Sequence, residues 1–238
     1  MNPSSTQSDN RNSPASPASN SDAPLRGVFV HRMGENAADE RRVAEFWRAH
    51  RLTVEAIEDS GDRFSKLPDL RLSYDGTPWA YCEVKTLARH GWKVHILHDG
   101  QLPEERVEET GKTVAERIAG DLITAARQLK AGNPDRKLLN FVVLVNRDED
   151  ASPGLLSQLL QGRSPVSGRT LKARREARLA EEVQGFRRSV DLCLWVNPAA
   201  EDRLVVEACL LSNSALLSFA EEVTGLRGDR LISLDPAA

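Results

Sequence analysis

The sequence predicts an α/β fold, and three patterns lead there. Apolar residues recur at helical spacing at Val43, Phe46 and Trp47, and again at Val114, Ile118, Leu122, Ala125 and Leu129. Two short strand-like runs flank a Tyr74-Asp75-Gly76-Thr77-Pro78 turn signal. A continuous apolar run, Phe141-Val142-Val143-Leu144-Val145, has the length and β-branching of a buried strand.

Taken in order, the first residues are Ser, Asn, Pro, Ala and Asp with almost nothing apolar, so 1–24 is expected to be a disordered tail. The run 27–30 offers a short edge strand. A helix is expected over 37–51, with Glu45 beside its apolar face. Residues 53–58 alternate as a first strand, and Ser60-Gly61-Asp62 turns the chain. The strands 70–74 and 79–85 then form a hairpin across the Asp75-Gly76 turn. The stretch 88–110 is awkward: 92–98 offers an extra strand, and Pro103-Glu104-Glu105 looks exposed. A long helix over 112–131 stops at Gly132-Asn133-Pro134, and a buried strand follows over 138–146.

Beyond 150, helices are expected over 154–161 and 171–184, and strands over 190–196 and 203–210. The two strands are joined from Asn197-Pro198 and are suited to extend the sheet as a hairpin. The expected organisation is a tail (1–24), a core (25–150) and a C-terminal extension (151–238) packed on it. The extension's helix is basic: Arg163 to Arg188 carries five net positive charges on a chain of net charge −3. Arg174, Arg175 and Arg178 are its candidate phosphate contacts. The competing account is a solvated helix with internal ion pairs.

The chemistry-bearing stretch is Leu67-Pro68-Asp69-Leu70 followed by Cys82-Glu83-Val84-Lys85-Thr86. Side chains alternate along a strand, so Glu83 and Lys85 share a face, and the hairpin brings Asp69 to them. Two carboxylates and an ammonium suit a divalent cation and a phosphate. The bland account is a surface hairpin with a weak Glu–Lys pair.

Pro68-Asp69 with Glu83-Val84-Lys85 resembles the signature of the PD-(D/E)XK nuclease superfamily, whose core is restriction-endonuclease-like: helix, three-strand meander, helix, strand. The resemblance covers roughly residues 37–147. The order of elements read from periodicity is the same. It implies a metal-dependent nuclease, a hydrolase acting on phosphodiester bonds, with DNA rather than RNA as substrate and 5′-phosphate and 3′-hydroxyl products. It implies Mg²⁺, with Mn²⁺ as a substitute, held by Asp69, Glu83 and the Val84 carbonyl, and Lys85 beside the attacking water. One metal or two stays open. An acidic residue of the first helix assists in several branches. Glu45 matches by position, and Glu40 is its rival. Some exonuclease-type relatives carry a Gln in the second helix followed four residues later by Tyr. Gln128 matches the first, but Gly132 stands at the second.

Hydrophobic content of 40 % and charged content of 28 % fit a globular protein, and no apolar run is long enough to span a bilayer. The net charge excludes a uniformly basic coat but not a local basic groove. Cys82, Cys193 and Cys209 all lie in apolar runs. With no apolar leader, they point to buried thiols in a reducing, cytoplasmic compartment. His90, His95 and His98 do not complete a zinc pattern. Gly111-Lys112-Thr113 lacks the upstream Gly of a phosphate-binding loop. A homodimer or a larger nuclease complex would let two sites cut two strands. The rival function is a non-catalytic nucleic-acid-binding or assembly subunit with the same fold.

Overall fold

The computed structural model describes residues 30–57, 67–88, 91–96, 104–109, 113–161, 171–199 and 203–234. Its main feature is a seven-stranded mixed sheet covered on both faces by helices, an α/β architecture. In chain order the elements are α1 (Val30–Ala49), β1 (Thr53–Ala56), β2 (Leu70–Tyr74), β3 (Thr77–Ala88), β4 (Gly91–Ile96), β5 (Glu104–Glu109), α2 (Val114–Gly132) and β6 (Leu139–Arg147). There follow α3 (Pro153–Leu160), α4 (Leu171–Ser189), β7 (Leu192–Pro198), β8 (Leu204–Leu211), α5 (Leu217–Thr224) and β9 (Leu231–Ser233).

The strands lie in the order β1-β2-β3-β6-β7-β8-β9, and β4-β5 forms a separate antiparallel ribbon. β1, β2 and β3 are an antiparallel meander; β6 runs parallel to β3, and β7 parallel to β6. β8 returns antiparallel to β7, and β9 pairs parallel with β8, so the sheet continues across residue 150.

Alternation along the strands divides the core. Cys82, Val84, Phe141, Val143 and Leu194 face α1 and α5, whose Val43, Trp47, Ala220 and Val223 close that side. Leu87, Val142, Leu144 and Trp195 face α2, α3 and α4, through Ile118, Leu122, Leu156 and Val183. The β2–β3 turn puts Asp75 at φ 47° and Gly76 at φ 75°. Two consecutive positive φ values are what a tight hairpin turn needs, and Asp-Gly supplies them at little steric cost. Thr113 caps α2: its side chain accepts from the Glu116 N–H while the Glu116 carboxylate accepts from the Thr113 N–H. That gives Thr113 a structural role in place of a phosphate-binding one.

Several expectations need correction. Val30 opens α1 and is no edge strand, and residues 27–29 lie outside the described residues. α1 starts seven residues before the expected position, and α4 runs on to Ser189. Glu104–Glu109, expected to be exposed connection at its start, is β5; its charged sequence is strand because β4 pairs with it. α5 and β9 were not foreseen. The 1–24 tail, His90 and His98 lie outside the described residues.

Candidate active site

Asp69 is fixed by its backbone before its side chain acts. It directly precedes β2, and its carbonyl accepts from the Ile57 N–H at 2.9 Å, prolonging the β1–β2 pairing. Its Oδ2 accepts from the Val84 N–H at 2.8 Å. The carboxylate therefore sits against the Glu83–Val84 peptide. Leu70 pairs with Cys82 in register, which puts Asp69 opposite Glu83.

Glu83 and Lys85 alternate with Cys82 and Val84 and so face α2. Glu83 is wholly buried, and the Lys85 side chain is 14 % exposed. The Lys85 Nζ donates to Glu83 Oε1 and, at 2.7 Å, to Gln128 Oε1. Gln128 Nε2 donates in turn to the Leu67 carbonyl at 3.3 Å. Gln128 is the only polar residue on the buried face of α2. A buried ammonium–carboxylate pair holds only when further hydrogen bonds satisfy its polar atoms. Here the amide of Gln128 accepts from Lys85 and ties the pair back to the segment carrying Pro68 and Asp69.

Beside this cluster the end of α2 packs closely on Pro68. A Cβ on Gly132 would lie 2.5 Å from Pro68 Cδ and 2.9 Å from its Cγ. Only a glycine lets the end of α2 touch the Pro68 ring, which sets the approach of the Leu67–Asp69 segment. A cleft of about 490 Å³ opens next to it, lined among others by Tyr81, Arg71, Pro68 and Gly132.

The other candidates are placed differently. Glu45 is exposed on α1, and α1 covers the sheet face opposite to Glu83 and Lys85. Its rival Glu40 is half-buried on the same helix. Among the described side chains of α1 the buried acid is Asp39, which sequence reasoning passed over. Asp39 Oδ2 accepts from Thr86 Oγ1 at 2.8 Å and from Arg147 Nε at 2.9 Å; Oδ1 accepts from Arg147 Nη2 at 2.7 Å and Arg42 Nη1 at 3.0 Å. Burial alone would raise its pKa, but hydrogen bonds from Arg147 and Thr86, the Arg147 charge and the Arg42 bond together hold it below its ordinary value of 3.8. A signal existed: Asp39 falls four residues before Val43 and eight before Trp47, on the apolar stripe.

Arg178 is exposed and bonds Glu182 at 3.1 Å, one turn on. The side chains of Arg174 and Arg175 lie outside the described residues. The three cysteines are buried and form no disulfide. Burial pushes the Cys82 and Cys193 thiols up, and that of Cys209 up to about 12, so none is a thiolate nucleophile at neutral pH. No helix among the described residues is long and apolar enough to cross a membrane.

No protein-family model, no curated protein and no solved structure matches this chain.

Proposed function

We propose that this protein is a metal-dependent nuclease that hydrolyses phosphodiester bonds, with DNA as substrate, and that its core is the restriction-endonuclease-like one. The observation that carries this is the joint placement of Asp69, Glu83 and Lys85. Asp69 is held against the Glu83–Val84 peptide, while Lys85 and Gln128 close over Glu83. The helix, three-strand meander, helix, strand order, with β6 parallel beside β3, supports the fold reading.

The donor set fits a hard cation. Asp69, Glu83 and the Val84 carbonyl offer oxygen only, and Mg²⁺ takes one or two carboxylates alongside water and substrate phosphate. No group of three or more His, Cys, Asp or Glu side chains suited to a metal occurs among the described residues. Two carboxylates against one ammonium also leave a net negative charge for a cation to offset. When bound, such an ion would polarise the scissile phosphate and acidify a water.

The chain's own residues do the rest. Asp69 and Glu83 would hold the ion. Lys85, fixed by Glu83 and Gln128, would orient the attacking water and offset charge building on the phosphate. Gln128 positions Lys85.

The test is incubation of the full chain with single-stranded and duplex DNA and RNA, in Mg²⁺, Mn²⁺ or EDTA. Cleavage in either metal and none in EDTA is expected. Cutting that survives exhaustive chelation would exclude this mechanism. Binding without cutting in every metal would favour a non-catalytic binding or assembly role.

A further inference from the structure

A second feature lies at the end of the sheet where β6 and β7 begin. Arg136, in the connection from α2 to β6, donates from Nη2 to both oxygens of Asp191, at 2.9 and 3.0 Å. Its Nη1 donates to the Arg188 carbonyl. Asp191 Oδ2 also accepts from the Asn140 N–H at 2.8 Å. The Asp191 carboxylate is thus engaged by Arg136 and the backbone.

Around this tie opens a cavity of about 460 Å³, lined by Arg136, Arg187, Arg188, Gln184, Asn213 and Ser214 among others. A second, of about 480 Å³, includes Trp79 and Lys137 in its wall and shares Arg136, Asp191 and Asn213 with the first. Together they make one basic cleft across the sheet end. Among the described residues, neither Arg187 nor Arg188 forms an ion pair with a carboxylate. Lys137 pairs only at the surface with Asp135, at 3.3 Å. Basic residues in a helix's last turn favour its dipole. That accounts for the charge of Arg187 and Arg188, not for a hollow shared with Arg136, amides and hydroxyls.

We infer that this cleft binds successive phosphates of a nucleic-acid strand. Guanidinium groups backed by Gln, Asn and Ser donors match phosphate oxygens. Two hollows that share Arg136, Asp191 and Asn213 offer more than one phosphate position. Trp79 gives a wall against which a base can lie. The chain is acidic overall, so this convergence of four basic residues is local. Along β6, Leu139 at the cleft is three residues from Val142, which pairs with Glu83. That is roughly 10 Å along the sheet at the usual strand rise. The inference rests on the nucleic-acid part of the proposed function, not on its chemistry.

The experiment is fluorescence anisotropy of labelled single-stranded and duplex oligonucleotides with the full chain in EDTA, titrated with salt. Arg187→Gln/Arg188→Gln should bind at least roughly 10-fold more weakly at low salt. Its log–log salt slope should be smaller by roughly 0.9 for each duplex phosphate no longer neutralised. Lys137→Gln, at a side chain 80 % exposed, should weaken binding by a smaller factor without risk to the fold. Arg41→Gln/Arg48→Gln, on exposed positions of α1 across the sheet, should bind as wild type. Equal losses in this control, wild-type binding by the Arg187/Arg188 and Lys137 variants, or no binding by wild type would overturn the cleft. So would inorganic phosphate or a mononucleotide binding as tightly as the oligonucleotide, which would make it a small-anion site. Because EDTA removes the chemistry, a failure here leaves the cleavage test untouched, and a failure to cleave leaves this result standing.

Discussion

Lys85 is the residue on which the proposed chemistry turns, and its position depends on two neighbours. Glu83 Oε1 and Gln128 Oε1 both accept from its Nζ. Lys85→Ala would leave Glu83 buried without its ammonium partner. The cleavage rate should then fall by at least roughly 10²–10³, the usual cost of removing a transition-state donor. Gln128→Leu keeps the side-chain volume and Glu83's hold on Lys85. A smaller loss, around 10-fold, is expected, with about 1–3 kcal/mol of stability lost because buried polar groups give up a partner. Rate and urea midpoint, measured on the same preparations, check both. A Gln128→Leu enzyme as crippled as Lys85→Ala would mean that Gln128 does more than position. Gln128 was marked in the sequence only through the resemblance, by its place in the second helix. The Leu67 carbonyl that completes its bonding was not, since no side-chain pattern marks a backbone acceptor.

Among elements, the approach of α2 to the Pro68 segment is set by one missing methyl. Gly132→Ala would raise helix propensity by about 1 kcal/mol, yet it drives a Cβ into the Pro68 ring. Overpacking of this kind costs typically about 1–3 kcal/mol. We expect a net loss of stability, and a larger loss of activity as Asp69 is pushed from the Val84 N–H. Thermal melting and cleavage rate report the two, and a stabilised, fully active variant would show that the packing relaxes freely.

α1 is joined to the far ends of β3 and β6 through Asp39, Thr86 and Arg147. Breaking a buried ion pair on one side costs about 3–5 kcal/mol, so Asp39→Asn should lower the urea midpoint clearly at neutral pH. The pH dependence has a definite sign. The Asp39 pKa is depressed in the folded chain, so its contribution is complete above the ordinary carboxylate value of 3.8 and is lost as pH falls through the lower folded value. Wild type should lose this increment on acidification, and Asp39→Asn should not. Parallel curves for the two proteins would remove Asp39 from the account. This network was only half legible. Asp39 shows on the α1 stripe, but its partner Arg147 stands 108 residues away, and nothing local marks the pairing.

At the scale of the whole molecule, local pattern was enough where segments were long or had strong turn chemistry. α2 and β6 carry sustained periodicity or an unbroken apolar run, and the β2–β3 hairpin has Asp75-Gly76. β5 is written almost entirely in charges and is a strand only because β4 lies beside it. α5 spans eight residues, and β9 three that depend on parallel pairing with β8, both too short for a periodic signal. The candidate site was more legible than the fold's edge, because Asp69, Glu83 and Lys85 lie on one hairpin, and hairpin register follows from turn and alternation. The basic cleft was not foreseen as a cleft: Arg136 and Arg187 are far apart in the chain and meet only through the β6–β7 pairing.

The central claim is that the Asp69–Glu83–Lys85 cluster cuts nucleic acid. The most direct measurement is the single-turnover cleavage rate of wild type and Asp69→Asn on the same bound DNA in Mg²⁺, with binding measured separately in EDTA. Asparagine keeps an oxygen acceptor for the Val84 N–H but loses the charge that would hold a cation. Equal binding and a rate at least roughly 10²–10³ lower are expected. An Asp69→Asn protein that cuts at the wild-type rate would contradict the claim.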